Sequence, residues 1–189
     1  LIARQRQKLV GQLASEKNRL HKVLTDSGVR LGVVVSDLHG QSARAMVKAI
    51  IAGQSPQEVL KLASRRLKAS REEIFDALQG DLTASHRFVL DELMRHIEEI
   101  EARIARFDTR LLAELESERD ALALLQTIPG VDLIGAAMLL VEIGTDMESF
   151  GSADRLASWV GICPGNNESA GKRKSGHLRK GNLYVRRLL

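Results

Sequence analysis

The chain has 189 residues and a net charge of +4, and its 44% hydrophobic and 28% charged residues are typical of one folded domain or two small ones. Aromatic residues make up only 3%, so the core must be aliphatic and helical, and a single cysteine, Cys163, excludes internal disulfides. No apolar run approaches the roughly 20 residues of a membrane span, so we expect a cytoplasmic protein, here a piece that begins at Leu1 inside a helix.

The first predicted element is a long amphipathic helix over residues 1–26. Its apolar residues recur at helical spacing, and Gly28 can adopt the left-handed conformation that ends a helix. Six lysines and arginines and two acids give this segment a net charge of +4. The apolar run Leu31–Val35 is too short to assign to a helix or a strand.

Three short helices are predicted over residues 36–80. Two of them open with capping boxes, in which a serine and a glutamate three residues later satisfy the first amides of a helix. These boxes begin at Ser55 and at Ser70, and Gly80 closes the helix that Ser70 opens. The segment carries no pattern that indicates chemistry.

A second long helix is predicted over residues 82–120. Its apolar stripe follows steps of three and four, through Leu82, His86, Val89, Leu93, Ile97, Ile100, Ile104, Phe107, Leu111 and Leu115, and continues to Leu122 and Leu125. A helix with one apolar stripe must bury it against another helix. We therefore predict an all-α fold: a coiled-coil-like stalk over residues 1–120, which makes a homodimer or higher homo-oligomer, followed by a small helical domain over residues 121–189.

A helix-hairpin-helix-like element is predicted around Gly130 and Val131. In such an element, backbone amides at the start of the second helix contact a phosphate of nucleic acid. The second glycine usual in this turn is replaced by Asp132, which can cap the helix but repels a phosphate. A purely structural turn therefore remains an equal alternative.

The end of the chain is strongly basic. Residues 165–189 hold seven lysines and arginines against Glu168, a net charge of +6, which indicates a polyanion partner. A glycine-rich segment, residues 162–180, is predicted as an irregular loop on the helical scaffold. Basic tails can also be merely solvated, and that alternative stays open.

An ordered series of motifs in residues 122–189 resembles the C-terminal domain of transposases of the insertion-sequence 110/116/902 family, and the helices before it resemble the connecting region of its 1111-like subgroup. The motifs are Thr127-Ile128-Pro129-Gly130-Val131, Glu142-Ile143-Gly144, Leu156-Ala157-Ser158-Trp159-Val160-Gly161, Pro164-Gly165, Ser169-Ala170-Gly171-Lys172-Arg173, Lys180-Gly181-Asn182 and Arg186.

The resemblance implies a bacterial DNA recombinase in which Ser169 is the nucleophile. A RuvC-like acidic domain, absent from this chain, would supply carboxylates and Mg²⁺, and a non-coding RNA would guide the protein to DNA at the nucleoid. No metal or cofactor is expected in the chain itself, and we expect it to be inactive alone. The expected nucleic-acid contacts are Lys172, Arg173, Lys174, Arg179, Lys180, Arg186, Gly130 and Val131.

Two alternatives remain at this point. Ser175 is also followed by a glycine and is the rival nucleophile. The chain could also be a non-catalytic module that binds nucleic acid through the hairpin and dimerises, in which case Ser169 is only a loop residue.

Overall fold

The computed structural model describes residues 1–163, 167–169, 171–175, 177–178 and 180–189, and the side chains of residues 167–169 and 173–175 lie outside that description. The described helices are α1 Ile2–Asp26, α2 Leu31–Val34, α3 Gln41–Ile51, α4 Pro56–Lys61, α5 Arg71–Ala77, α6 Ala84–Glu114, α7 Arg119–Leu125, α8 Leu133–Ile143, α9 Ala153–Val160 and α10 Leu183–Arg186. Two short strands, β1 Asn167–Ser169 and β2 Lys172–Ser175, form a hairpin. The predicted all-α class is confirmed.

Local capping signals place several helix ends where the sequence predicts them. The Ser55 and Ser70 hydroxyls each accept a hydrogen bond from the amide three residues later, and the glutamate there accepts one in return. Ser152 caps α9 in the same way, and Gly161 ends that helix with φ of +81°. These ends are set by residues within one helical turn.

Contacts divide the chain into two units. Leu9–Ile104 form one, called here the helical unit, and Leu1–Lys8 with Ala105–Leu189 form the other, the C-terminal unit. The predicted division lies between residues 120 and 121 instead. The difference arises because the last turns of α6 and the first turns of α1 contribute side chains to the C-terminal core.

The core of the helical unit is aliphatic and draws on both long helices and on the short helices between them. Its most deeply buried side chains are Leu20, Leu24, Leu31, Met46, Val47, Leu90 and Ile97. Near the start of α6, Leu90 and Met94 are buried and Leu93 is partly buried against the same core, whereas Val89 is 42% exposed. The predicted stripe is therefore wrong at Val89, because steps of three and of four back from Ile97 fit a helix equally well.

The second long helix is shorter than the predicted range of residues 82–120. Helix α6 ends at Glu114, a single 3₁₀ turn follows over Glu116–Glu118, and α7 begins at Arg119. The tighter i→i+3 hydrogen bond from the Glu118 amide to the Leu115 carbonyl, 2.9 Å, changes the helical register before Leu122. The sequence shows no proline or glycine at this break.

The C-terminal unit is built around α8. Five consecutive residues of this helix, Ala136 to Leu140, are buried, so the helix is covered on most of its circumference. Helix α7 packs on one side of α8, and α10 contacts both α8 and α9. The ends of α8 carry the polar residues Asp132 and Glu142, which make hydrogen bonds to Gly135 and to Arg4 and Asn182.

The segment predicted as an irregular loop contains the β-hairpin. Ser169 of β1 pairs with Lys172 of β2 in antiparallel register, and Gly171 directly precedes β2. Gly171 has φ of +73°, a backbone conformation that suits tight hairpins. The basic residues are therefore presented, at least in part, on a regular backbone.

Candidate nucleic-acid interface

The turn between α7 and α8 is shaped by one glycine and one carboxylate. Gly130 has φ of +87°, and the Asp132 carboxylate accepts a hydrogen bond of 2.7 Å from the Gly135 amide. The expected capping role of Asp132 is thus confirmed. Gly130 is exposed, whereas Val131 is half-buried against the C-terminal core. Because Asp132 occupies this helix end, phosphate contacts at Gly130 and Val131 stay predictions.

A polar cluster at the end of α8 joins three distant parts of the chain. The Arg4 guanidinium donates two hydrogen bonds to the Glu142 carboxylate, at 2.8 and 2.9 Å, and the Asn182 amide nitrogen donates a third, at 3.1 Å. Only 5% of the Glu142 side chain is exposed. The hydrogen bonds from Arg4 hold the pKa of the Glu142 carboxyl below its ordinary value, so the carboxylate is ionised.

Asn182 links this cluster to the last helix. Its side-chain oxygen accepts hydrogen bonds from the Tyr184 and Val185 amides, at 2.9 and 3.2 Å, and so caps α10. The Arg4 guanidinium lies 4.6 Å from the centre of the Tyr184 ring, in a cation–π contact. Together these contacts fix where the chain leaves the basic segment.

Gly181 brings the basic segment into close contact with α9. A Cβ atom at this position would overlap the carbonyl group of Val160 and the amide nitrogen of Gly161. Next to it, the Asn182 amide donates a 3.1 Å hydrogen bond to the Trp159 carbonyl. Only glycine permits so close an approach of two backbones. Lys180, the residue before it, is exposed.

The structure describes the predicted cations unequally. Lys172 and Lys180 are exposed, and Arg186 is half-buried on α10. The side chains of Ser169, Arg173 and Lys174 and the whole of Arg179 lie outside the described residues, as does the side chain of the rival nucleophile Ser175. What is described for Ser169 is its backbone, in β1 opposite Lys172. Its role as a nucleophile therefore stays a prediction.

Sequence reasoning missed the roles of Arg4, Glu142 and Asn182. In the sequence, Glu142 and Asn182 are parts of the family motifs, and Arg4 is one of the six basic residues in residues 1–26. The ion pair joins residues that are 138 positions apart, and no local pattern announces such a pair. The usable signal is an acid at the end of an otherwise apolar helix, since a buried carboxylate requires a partner.

The fold defines the class of this unit: it is a small helical domain with a basic β-hairpin between α9 and α10. Residues 122–189 match the family described as "Transposase IS116/IS110/IS902 family". Residues 122–189 are therefore similar to a domain of that transposase family, and the resemblance inferred from the motifs is confirmed.

Two curated relatives agree with this assignment. One, from Pseudomonas aeruginosa, is described as "Probable family 20 transposase" and is 26% identical over 133 residues, which are 68% of this chain and 39% of that protein. The other, from Mycobacterium paratuberculosis, is described as "Insertion element IS900 uncharacterized 42 kDa protein" and is 34% identical over 101 residues, 53% of this chain and 25% of that protein. The chain thus spans well under half the length of either relative. No solved structure gives a significant match.

The described residues contain neither a membrane-spanning helix nor a cluster of three metal-ligating side chains. None of the described helices is long and apolar enough to cross a membrane. In the same ranges, no group of three or more histidine, cysteine, aspartate or glutamate side chains could hold a metal ion.

Glu142→Gln should destabilise the chain at neutral pH but not in acid. Because the pKa of Glu142 is lowered on folding, its contribution is complete above the unfolded-state pKa of about 4.3 and is lost as the pH falls through the lower folded-state value. We expect the free energy of unfolding at pH 7 to fall by about 1 kcal/mol, the difference between charged and neutral hydrogen bonds. Urea denaturation at pH 7 and at pH 3 measures the effect.

The matched control for this prediction is Glu114→Gln. Glu114 also pairs with an arginine, Arg110, but its side chain is 45% exposed, so solvent screens the pair and its loss should change stability by only a few tenths of a kcal/mol. Equal stability of the Glu142→Gln variant and the parent chain at pH 7 would contradict the role assigned to the buried pair.

Proposed function

We propose that this chain is the C-terminal part of a DNA transposase, and that it binds a DNA strand and supplies the serine for strand cleavage and rejoining. The observation that carries the proposal is a basic hairpin, with Ser169 in its first strand, inside the residues that match the transposase family. The exposed Lys172 and Lys180 support it, since cations at such a site attract phosphates.

The proposed chemistry is a phosphoryl transfer to the Ser169 hydroxyl. The oxygen of Ser169 forms a bond to phosphorus while the bond from phosphorus to one DNA oxygen breaks. The proton of the Ser169 hydroxyl passes to a general base, and a general acid or water donates the proton with which the departing DNA oxygen becomes a hydroxyl. The phosphoserine link conserves the bond energy, so the reverse reaction can join a different strand end without ATP.

We further propose that the acidic residues and Mg²⁺ required for this step belong to a RuvC-like domain of the longer protein. The coverage of only 39% and 25% of the two relatives supports this division, since those proteins have room for a further domain. The isolated chain would then bind DNA without cutting it. A guide RNA and a location at the bacterial nucleoid remain parts of the same proposal.

Self-association is also proposed, as a homodimer or a higher homo-oligomer. Phe88 and Val89 of α6 are 66% and 42% exposed, although both are large apolar residues on a long helix. Exposed apolar residues on adjacent positions of a helix favour contact with another chain. A non-catalytic module that only binds nucleic acid and dimerises remains the alternative, and the serine variant argued in the Discussion separates the two.

The DNA-binding part of the proposal predicts a specific dependence on salt. We expect the plot of log affinity against log salt concentration to become less steep by about 1 for each of Lys172→Gln and Lys180→Gln, because each lysine releases roughly one counterion from DNA. Binding of a labelled DNA duplex to the 189-residue chain, titrated at several salt concentrations, measures the slope.

Lys61→Gln provides the control for these charge variants. Lys61 is an equally exposed lysine at the end of α4 in the helical unit, so its replacement changes the net charge by the same amount. If all three variants reduce the slope equally, DNA affinity depends on the total charge of the protein and not on Lys172 and Lys180 in particular. That result would overturn the proposed interface.

A further inference from the structure

Trp159 is a large aromatic side chain that the fold leaves uncovered. It is the only tryptophan in the chain, and 40% of its surface is exposed, whereas Val160 beside it is buried. A tryptophan contributes more apolar surface than any other residue, so an exposed one in a chain so poor in aromatic residues calls for a reason. Its surroundings point to a ligand.

The Trp159 ring is held in place rather than loose. The indole meets the Phe150 ring edge to face, with 5.5 Å between ring centres and 63° between planes. The backbone carbonyl of Trp159 accepts a hydrogen bond from the backbone amide of Asn182, and Gly181 lies against the peptide group between Val160 and Gly161. A ring fixed in this way loses little conformational entropy when a ligand stacks on it.

Two exposed cations are near Trp159, one on the same helix and one on the segment that packs against the end of that helix. Arg155 precedes Trp159 by one turn on the same face of α9, and its guanidinium lies over Gly151. Lys180 directly precedes Gly181, the residue in contact with the peptide that follows Trp159. An exposed aromatic ring with one cation on its own helix and another on the segment that packs against that helix suits a strand of nucleic acid, whose bases stack and whose phosphates are negatively charged.

We propose that Trp159 is a stacking platform for an unpaired base of a DNA strand, with Arg155 and Lys180 binding the phosphates on either side of that base. The inference rests on the proposed function and names a subsite within it. Strand exchange requires DNA that is not fully paired, and such a platform would hold one separated base.

The test uses the fluorescence of the 189-residue chain, in which every photon of tryptophan emission comes from Trp159. We expect a short oligodeoxythymidylate to quench this emission, and an oligomer of the same length without bases to bind without quenching it. Trp159→Ala should weaken binding of the oligodeoxythymidylate about tenfold, within the range for one stacked base. Trp159→Phe, which keeps an aromatic ring, should restore most of that affinity.

Leu62→Ala is the matched control, since Leu62 is a large apolar residue of the helical unit that is 41% exposed, as Trp159 is 40% exposed, and its replacement should not affect affinity. Unchanged affinity of Trp159→Ala, in a chain whose binding still depends steeply on salt, would overturn the stacking platform and leave the proposed function standing. Absence of any DNA binding would overturn both. Should Trp159→Ala fail to fold, quenching by the oligomer without bases decides against the platform.

Other occupants of the surface give distinct results in the same experiment. Quenching by oligouridylate but not by oligodeoxythymidylate would overturn the assignment to DNA in favour of RNA. A change of Trp159→Ala from dimer to monomer, with unchanged DNA affinity, would show that a second copy of the chain covers the ring. Quenching by DNA together with the tenfold loss supports the platform.

Discussion

Loss of recombination is the expected result of replacing Ser169 by alanine in a transposase of the relatives' full length that carries this sequence. The hydroxyl oxygen is the atom proposed to bond to phosphorus, and alanine offers none. Removal of a catalytic nucleophile costs enzymes about 10⁴-fold to 10⁶-fold in rate, so exchange between two plasmids should fall below detection. The covalent protein–DNA link, seen on a denaturing gel with the parent protein, should disappear.

Ser175→Ala is the control that separates the two candidate serines. Both lie on the hairpin, but Ser169 pairs with Lys172 next to the turn, whereas Ser175 pairs with Asn167 at the far end. We expect Ser175→Ala to retain recombination. If Ser175→Ala abolishes the covalent link while Ser169→Ala keeps it, the assignment is wrong. If neither does, the chain is a binding module without a nucleophile.

What the sequence predicts well in this chain is what neighbouring residues decide. The capping boxes at Ser55 and Ser70 and the left-handed Gly161 each depend on atoms within one helical turn, so the spacing of residue types is sufficient. The end of α6 is not decided by neighbouring residues alone. Its break follows Glu114, where the apolar pattern continues, and packing of Leu122 in the C-terminal core accompanies the change of register.

The candidate site shows the same division between local and distant causes. The motifs identify the family and bring Ser169 and the basic residues to attention, because they are contiguous in the chain. The contacts that hold the site, from Arg4 to Glu142 and from Glu142 to Asn182, cross 138 and 40 residues. A single sequence gives no distance between such residues. The same limit applies to Trp159, whose apolar character alone suggested a buried position.

The largest structural effect is expected from Gly181→Ala. The added methyl group would overlap the carbonyl of Val160 and the amide of Gly161, and neither backbone group can move without unwinding the end of α9. The chain around residue 181 must therefore shift away and lose the hydrogen bonds that Asn182 makes to Trp159 and Glu142. We expect a loss of about 3 kcal/mol in the free energy of unfolding, the upper part of the range for overpacking.

Gly11→Ala makes the same chemical change in a different place and should have the opposite sign. Gly11 lies inside α1 with no atom within 4 Å of a Cβ atom, so alanine should stabilise that helix by about 1 kcal/mol. Urea denaturation followed by helical circular dichroism measures both variants, and Trp159 emission reports separation of residue 181 from α9. Because the hairpin depends on this anchor, Gly181→Ala should also weaken DNA binding, while Gly11→Ala should not. Equal stability of the two variants would mean that the basic segment is not held where the structure has it.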